Sequence, residues 1–247
     1  MFLVYSIIYT IVIFLLFIPQ YLKRPKELRS KWVREKLGLL PEMDHSIWVH
    51  AVSVGEVNAA IQLLRRLRGK YHDIPIVLST VTDTGQKVAR DKVPEGVRVV
   101  YLPFDINLVL EKAFRRGRPR MLIVMETELW PNIFRLAHKR NIPVIILNGR
   151  ISGKSSQGYK KISFFMKKVF SCVTVFSMQS ALDAQRLKVI GADEKKLLVS
   201  GNFKFDMEMS DKMPVWTESI KGPVIMAGST HKGEEEPQRS WRLSLVP

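Results

Sequence analysis

One feature constrains the fold of this chain more than any other. From residue 47 to residue 199, short apolar runs alternate with segments of helical period. Segments 47–52, 74–80, 97–102, 121–125, 144–147, 173–176 and 197–199 read as strands. Segments 57–68, 85–91, 107–116, 130–140, 160–170 and 181–190 read as helices. Strands that alternate with helices of this length pair in parallel, because each helix carries the chain back to the start of the next strand. The expected fold class is therefore α/β, a Rossmann-like, doubly wound parallel sheet over residues 46–202. A hydrophobic fraction of 46% supplies a core for it.

Such a sheet also fixes where a ligand sits, beyond the carboxyl ends of the strands. The polar residues there are Ser53, Gly55 and Glu56 after the first strand, and Thr82, Asp83, Thr84 and Gly85 after the second. Asp105 follows the third, Glu126 and Glu128 the fourth, Asn148 and Arg150 the fifth, and Gln179 and Ser180 the sixth. They are expected to converge on one cleft. In HAVSVGE (50–56), Gly55 permits a tight turn, and Glu56 falls in the first helical turn, either as a cap or as a base for a hydroxyl nucleophile. In METELWPN (125–132), two carboxylates stand two residues apart before Pro131, which suits a first helical turn. In GNFKFD (201–206), Lys204 lies between two aromatics, placed to meet a phosphate or a sugar carboxylate, or simply to face solvent.

Residues 1–18, MFLVYSIIYTIVIFLLFI, carry no charged side chain. As a helix they measure about 27 Å, close to the ~30 Å hydrocarbon thickness of a bilayer. Lys23, Arg24, Lys26, Arg29, Lys31 and Arg34 follow the run, whereas a cleaved leader has its basic residues before it. The positive-inside rule then places the rest of the chain in the cytoplasm. The expectation is an uncleaved membrane anchor, spanning or lying in the interface, followed by a basic linker over 19–45.

The chain carries 39 Lys and Arg against 23 Asp and Glu, a net charge of +16, which suits anionic partners. RRGRPR (115–120) is a solvated or lipid-facing basic run, and no aromatic interleaving supports nucleic acid. The single Cys172 excludes an intramolecular disulfide. No Cys and His pair has zinc-ligand spacing, so no metal is expected.

Seven strings occur in order: HAVSVGE, TVTDTG (80–85), YLPFD (101–105), METELWPN, NGRIS (148–152), GNFKFD and AGSTHKGEEE (227–236). Together they resemble the 3-deoxy-D-manno-octulosonic acid (Kdo) transferases of Gram-negative bacteria. The resemblance implies an inverting, metal-independent glycosyltransferase of the two-Rossmann (GT-B) type with no cofactor. It implies Kdo transfer from CMP-Kdo to lipid IVA, the lipid A precursor, on the cytoplasmic face of the inner membrane. Anionic inner-membrane lipid is a further expected partner, and nucleic acid is not. It implies Glu56 as proton acceptor and Glu126 and Lys204 as transition-state stabilisers. Gly228, Ser229 and Thr230 are expected near the donor.

NGRISGK (148–154) departs from the family's NARLSER-like wording at Gly149 and Gly153. Residues 203–222 read as an interdomain linker and 223–247 as the start of the donor domain, ending in a tail from 237 unlike the family. A lone strand at 224–227 would leave residues 213–247 poorly ordered. The alternative expectation is an inactive truncated remnant that anchors and binds acceptor without turnover.

Overall fold

The protein is described from a computed structural model over residues 1–203. The expectations for Lys204, for Gly228, Ser229 and Thr230, and for the order of the last segments lie outside the described residues. Two helices come first, an apolar α1 (Phe2–Leu22) and a basic α2 (Lys26–Lys36). The alternating region then runs β1 (Ser46–His50), α3 (Val54–Lys70), β2 (Ile76–Thr80), α4 (Asp83–Lys92), β3 (Val97–Tyr101), α5 (Asn107–Gly117) and β4 (Pro119–Met125). It continues with α6 (Pro131–Lys139), β5 (Val144–Gly149), α7 (Gly153–Lys160), α8 (Ser163–Ser171), β6 (Val175–Met178), α9 (Ala181–Ile190) and β7 (Leu197–Val199).

The seven strands form one sheet in the order β3-β2-β1-β4-β5-β6-β7, and each neighbouring pair is parallel. This is the doubly wound α/β arrangement expected from the alternation. The period of two along each strand divides the core. Trp48, Val77, Leu122, Val124 and Ile146 face α5, α6, α8 and α9. Ile47, Val49, Leu78, Ile123 and Met125 face α3 and α4. Both faces of the central strands are covered, so they are largely apolar rather than strictly alternating with polar residues.

Two helices were not foreseen. The stretch read as a basic linker contains α2, and a single expected helix over 160–170 is preceded by a separate α7. The role of α2 explains its composition. β3 is an edge strand, and an uncovered edge offers free N–H and C=O groups to other chains. Glu35 accepts the Tyr101 backbone N–H at 2.8 Å, and Lys31 donates to the Val99 carbonyl at 3.2 Å. Charged side chains thus satisfy the edge while Trp32 is buried with Tyr101 and Phe104. Two of the four arginines of RRGRPR also have local partners: Arg116 bonds the Leu40 carbonyl and pairs with Glu42, and Arg118 pairs with Asp44.

α1 packs on the α/β domain along one stripe. Phe2 meets Phe165, Tyr9 meets Trp130, and Phe17 meets Trp32 and Phe104. Polar contacts join the same stripe: the Tyr5 hydroxyl donates to Asp105 at 2.8 Å, and Ser6 exchanges hydrogen bonds with Asn132. Asp105 also accepts the backbone N–H groups of Asn132 and Ile133, at 3.0 and 2.8 Å. It therefore caps the start of α6, in addition to holding α1.

Candidate active site

The strand order reverses between β1 and β4, which makes the crevice beyond their carboxyl ends the topological switch point. The first turn of α3, just after β1, carries Glu56 and the loop after β4 carries Glu126 and Glu128, so the switch point is lined by carboxylates.

Glu56 is fixed by its own helix start. Ser53 is the N-cap of α3, and its hydroxyl accepts the Glu56 backbone N–H at 3.5 Å while donating to Glu56 Oε1 at 2.9 Å. The Val52 backbone N–H donates to Oε2 at 2.8 Å. This is a variant of the capping box, in which the carboxylate takes the N–H of the residue before the N-cap and the N-cap hydroxyl, and it orients both carboxylate oxygens. Each oxygen keeps a second lone-pair direction open for a proton. Burial pushes the Glu56 carboxyl above its usual range, against the two donors that lower it, and Glu126 raises it further. A raised carboxyl is a stronger base when ionised. His50 stands nearby in the same string but is a poor base, because burial pushes its imidazole down to about 3.

Glu126 directly follows β4 and Asn148 is the penultimate residue of the adjacent β5, and both adopt left-handed backbone, with φ of 56° and 57°. Left-handed conformations are uncommon for residues other than glycine and concentrate at functional turns. The Glu126 N–H donates to the Leu147 carbonyl at 2.8 Å, and its Oε2 pairs with Arg150 Nε at 2.9 Å. Thr127 and Arg150 exchange hydrogen bonds through the Thr127 hydroxyl, which locks the two loops together. Glu128 has no hydrogen-bond partner among the described residues. Burial, then Glu56, then Glu126 lift its carboxyl to about 7.

A cleft of about 510 Å³ opens beside Glu126 and Glu128, with Arg150, Tyr159, Gln179 and Arg186 among its other lining residues; Glu56 is not one of them. Its far wall is clamped by α9: Asp183 accepts the Ile151 N–H at 2.8 Å, and Arg186 donates to the Ile151 carbonyl at 2.8 Å. Gly149 allows β5 to approach β6 closely, since a Cβ there would stand 2.6 Å from Met178 Sδ.

Not all strand-end residues converge. Asp83 bonds the Tyr101 hydroxyl and pairs with Arg24 at 3.2 Å, and Asp105 is buried under α1 and α6. Thr82 and Ser180 serve as N-caps of α4 and α9. Conversely, Tyr159 and Arg186 line the cleft although their spacing in sequence gave no sign of it; Tyr159 lies on the unforeseen α7. No group of three or more His, Cys, Asp or Glu side chains among the described residues is arranged to hold a metal ion.

Residues 31–207 match the family model described as 3-deoxy-D-manno-octulosonic-acid transferase (kdotransferase). A 3-deoxy-D-manno-octulosonic acid transferase of Haemophilus influenzae is 34% identical over 77% of this chain and 46% of its own length. A probable mitochondrial 3-deoxy-D-manno-octulosonic acid transferase of Arabidopsis thaliana is 30% identical over 77% of this chain and 45% of its own. The chain thus spans about half the length of these curated relatives. Among solved structures, a putative UDP-N-acetylglucosamine 2-epimerase from Listeria monocytogenes superimposes with a TM-score of 0.50 at 8% identity, over 71% of this chain and 50% of that one. That likeness is one of fold alone.

Proposed function

The chain belongs to the 3-deoxy-D-manno-octulosonic acid transferase family, and from that premise we propose that it takes part in Kdo transfer from CMP-Kdo to lipid IVA in lipopolysaccharide synthesis. The observation that carries the reading is the Glu56 carboxylate, held by Val52 and Ser53 at the switch point beside Glu126.

The chemistry asks little of the protein beyond position, a base and charge. The 6′-hydroxyl of the acceptor attacks the anomeric carbon of Kdo as the bond from that carbon to the CMP phosphate oxygen breaks. The electron pair leaves on CMP, the hydroxyl proton passes to Glu56, and the anomeric configuration inverts. Glu126, fixed by Arg150, faces the positive charge that develops at the anomeric carbon, and Lys204 offsets the negative charge on the leaving phosphate. Gly228, Ser229 and Thr230 contribute to the donor side. No step in this scheme calls for a metal or a cofactor.

α1 anchors the chain at the inner membrane, with the basic residues after it and the α/β domain on the cytoplasmic side. Anionic lipid and the phosphates of lipid IVA are both suited to that basic surface, and nucleic acid has no place in the reading.

The test is Kdo transfer by the purified chain to lipid IVA with CMP-Kdo as donor, followed by mass spectrometry of the lipid. A product heavier by one Kdo supports the proposal. Lipid IVA binding without CMP release would assign the chain to acceptor binding alone.

A further inference from the structure

The stripe by which α1 docks on the α/β domain contains Phe2, Tyr5, Tyr9, Ile13, Phe17 and Tyr21, one residue per helical turn. The contacts therefore run the whole length of the helix, about 31 Å at ~1.5 Å per residue. A helix that crossed a bilayer along its length would draw Asp105, Asn132 and Arg135 into hydrocarbon with it, at a cost that charged and polar groups do not meet. Cations also stand at both ends. Arg135 lies over the Phe2 ring at 5.1 Å, and Arg29 lies over Tyr21 at 5.0 Å while bonding the Leu22 carbonyl. In a spanning helix, one of these ends would be on the far side of the membrane from the domain.

The opposite side of α1 is apolar and uncovered, with Leu3, Ile7, Ile11, Phe14 and Ile18 each more than half exposed. Neighbouring elements extend this surface. Phe165 of α8 packs on Phe2 and Tyr5, and beside it Phe164 is 62% exposed. Ile106 and Val109 join the cluster that holds Ile13 and Phe17, and between them Leu108 of α5 is 82% exposed. An apolar face with Arg135 at one end and Arg29 at the other fits one partner, the headgroup and upper acyl region of an anionic bilayer.

We propose that α1 lies in the plane of the membrane surface, docked on the α/β domain, and that Leu108 and Phe164 enter the same lipid layer. This rests on the membrane association proposed above and gives it a geometry. The arrangement holds the switch point at a constant height over the lipid, because Trp130 of the METELWPN loop is in contact with Tyr9 of α1.

The test uses the whole chain with Cys172 replaced by Ala and single cysteines at Leu3, Ile11, Ile18, Leu108 or Phe164, each carrying an environment-sensitive fluorophore. Vesicles of phosphatidylethanolamine and phosphatidylglycerol are the probe, with nitroxide quenchers at shallow and deep acyl positions. In-plane docking predicts a blue shift at all five positions and the same preference for the shallow quencher at Leu3, Ile11 and Ile18. Deep quenching at Ile11 with Leu108 and Phe164 in water would overturn it and leave membrane association intact. No partition into vesicles, or a stable dimer in their place, would overturn both. Unlabelled Leu108→Asp and Phe164→Asp provide a second measurement. Each is expected to weaken vesicle partition about tenfold, and unchanged partition in both would contradict the inference.

Discussion

At the residue scale, Glu56 combines two duties that a single substitution can separate. As a cap it closes the start of α3, and in the proposed reaction it is the base that takes a proton. Glu56→Gln keeps an acceptor for the Val52 N–H, with the Ser53 hydroxyl turned to accept from the new amide NH2. It should leave the thermal midpoint within a few degrees of the parent while lowering turnover by roughly 100- to 10,000-fold. Glu56→Ala should lose the same activity and about 1 kcal/mol of stability besides. Lys36 offers a different readout. Burial pushes this ammonium down to about 7, with Arg24 adding to the effect. Below that pH the folded chain holds a buried charge. Between about 7 and the unfolded value the unfolded state binds more protons, so stability rises with pH, by at most ~1.4 kcal/mol per unit. Urea titrations between pH 7 and pH 9 should show this rise in the parent and a flatter profile in Lys36→Met. Glu56 and Glu126 were legible as candidates because their strings place carboxylates at strand ends. The left-handed backbone at Glu126 and Asn148 was not, since neither residue type demands it.

At the element scale, the strands and most helices follow from apolar periodicity, and the two helices that did not are instructive. α7, GKSSQGYK, has two glycines and a single large apolar side chain, so it shows no helical stripe; Ser152 starts it as N-cap. α2, KELRSKWVREK, is charged around most of its circumference, and its reason for being lies elsewhere, in the edge of β3 that Glu35 and Lys31 close. Glu35→Ala would leave the Tyr101 N–H buried without a partner, a loss of roughly 1–3 kcal/mol. Chemical denaturation is expected to show that loss, and light scattering an increased tendency to associate through the freed edge. Asp105 teaches the same lesson. Its position after a strand suggested the cleft, but its partners are the first turn of α6 and a tyrosine of α1. Asp105→Ala should therefore destabilise by about 2 kcal/mol or more and loosen α1, seen as faster proteolysis between α1 and α2.

At the scale of the whole molecule, the switch point gathers what the strings scattered. Glu56 and Glu126 are 70 residues apart in sequence, yet β1 and β4 are neighbours, and the reversal of strand order brings their carboxyl ends together at the switch point. The α/β order, the cleft at the carboxyl ends and the apolar helix were all legible from the chain. The docking of α1 was not, because its stripe of aromatic and small polar residues is too close in hydropathy to the lipid-facing side to mark it. The central claim is that Glu56 is the base of a Kdo transfer at this switch point. The most direct measurement is CMP release from CMP-Kdo in the presence of lipid IVA, comparing the parent chain with folded Glu56→Gln. Acceptor-dependent release by the parent that falls at least 100-fold in the variant is the predicted result; equal release by both would contradict the account.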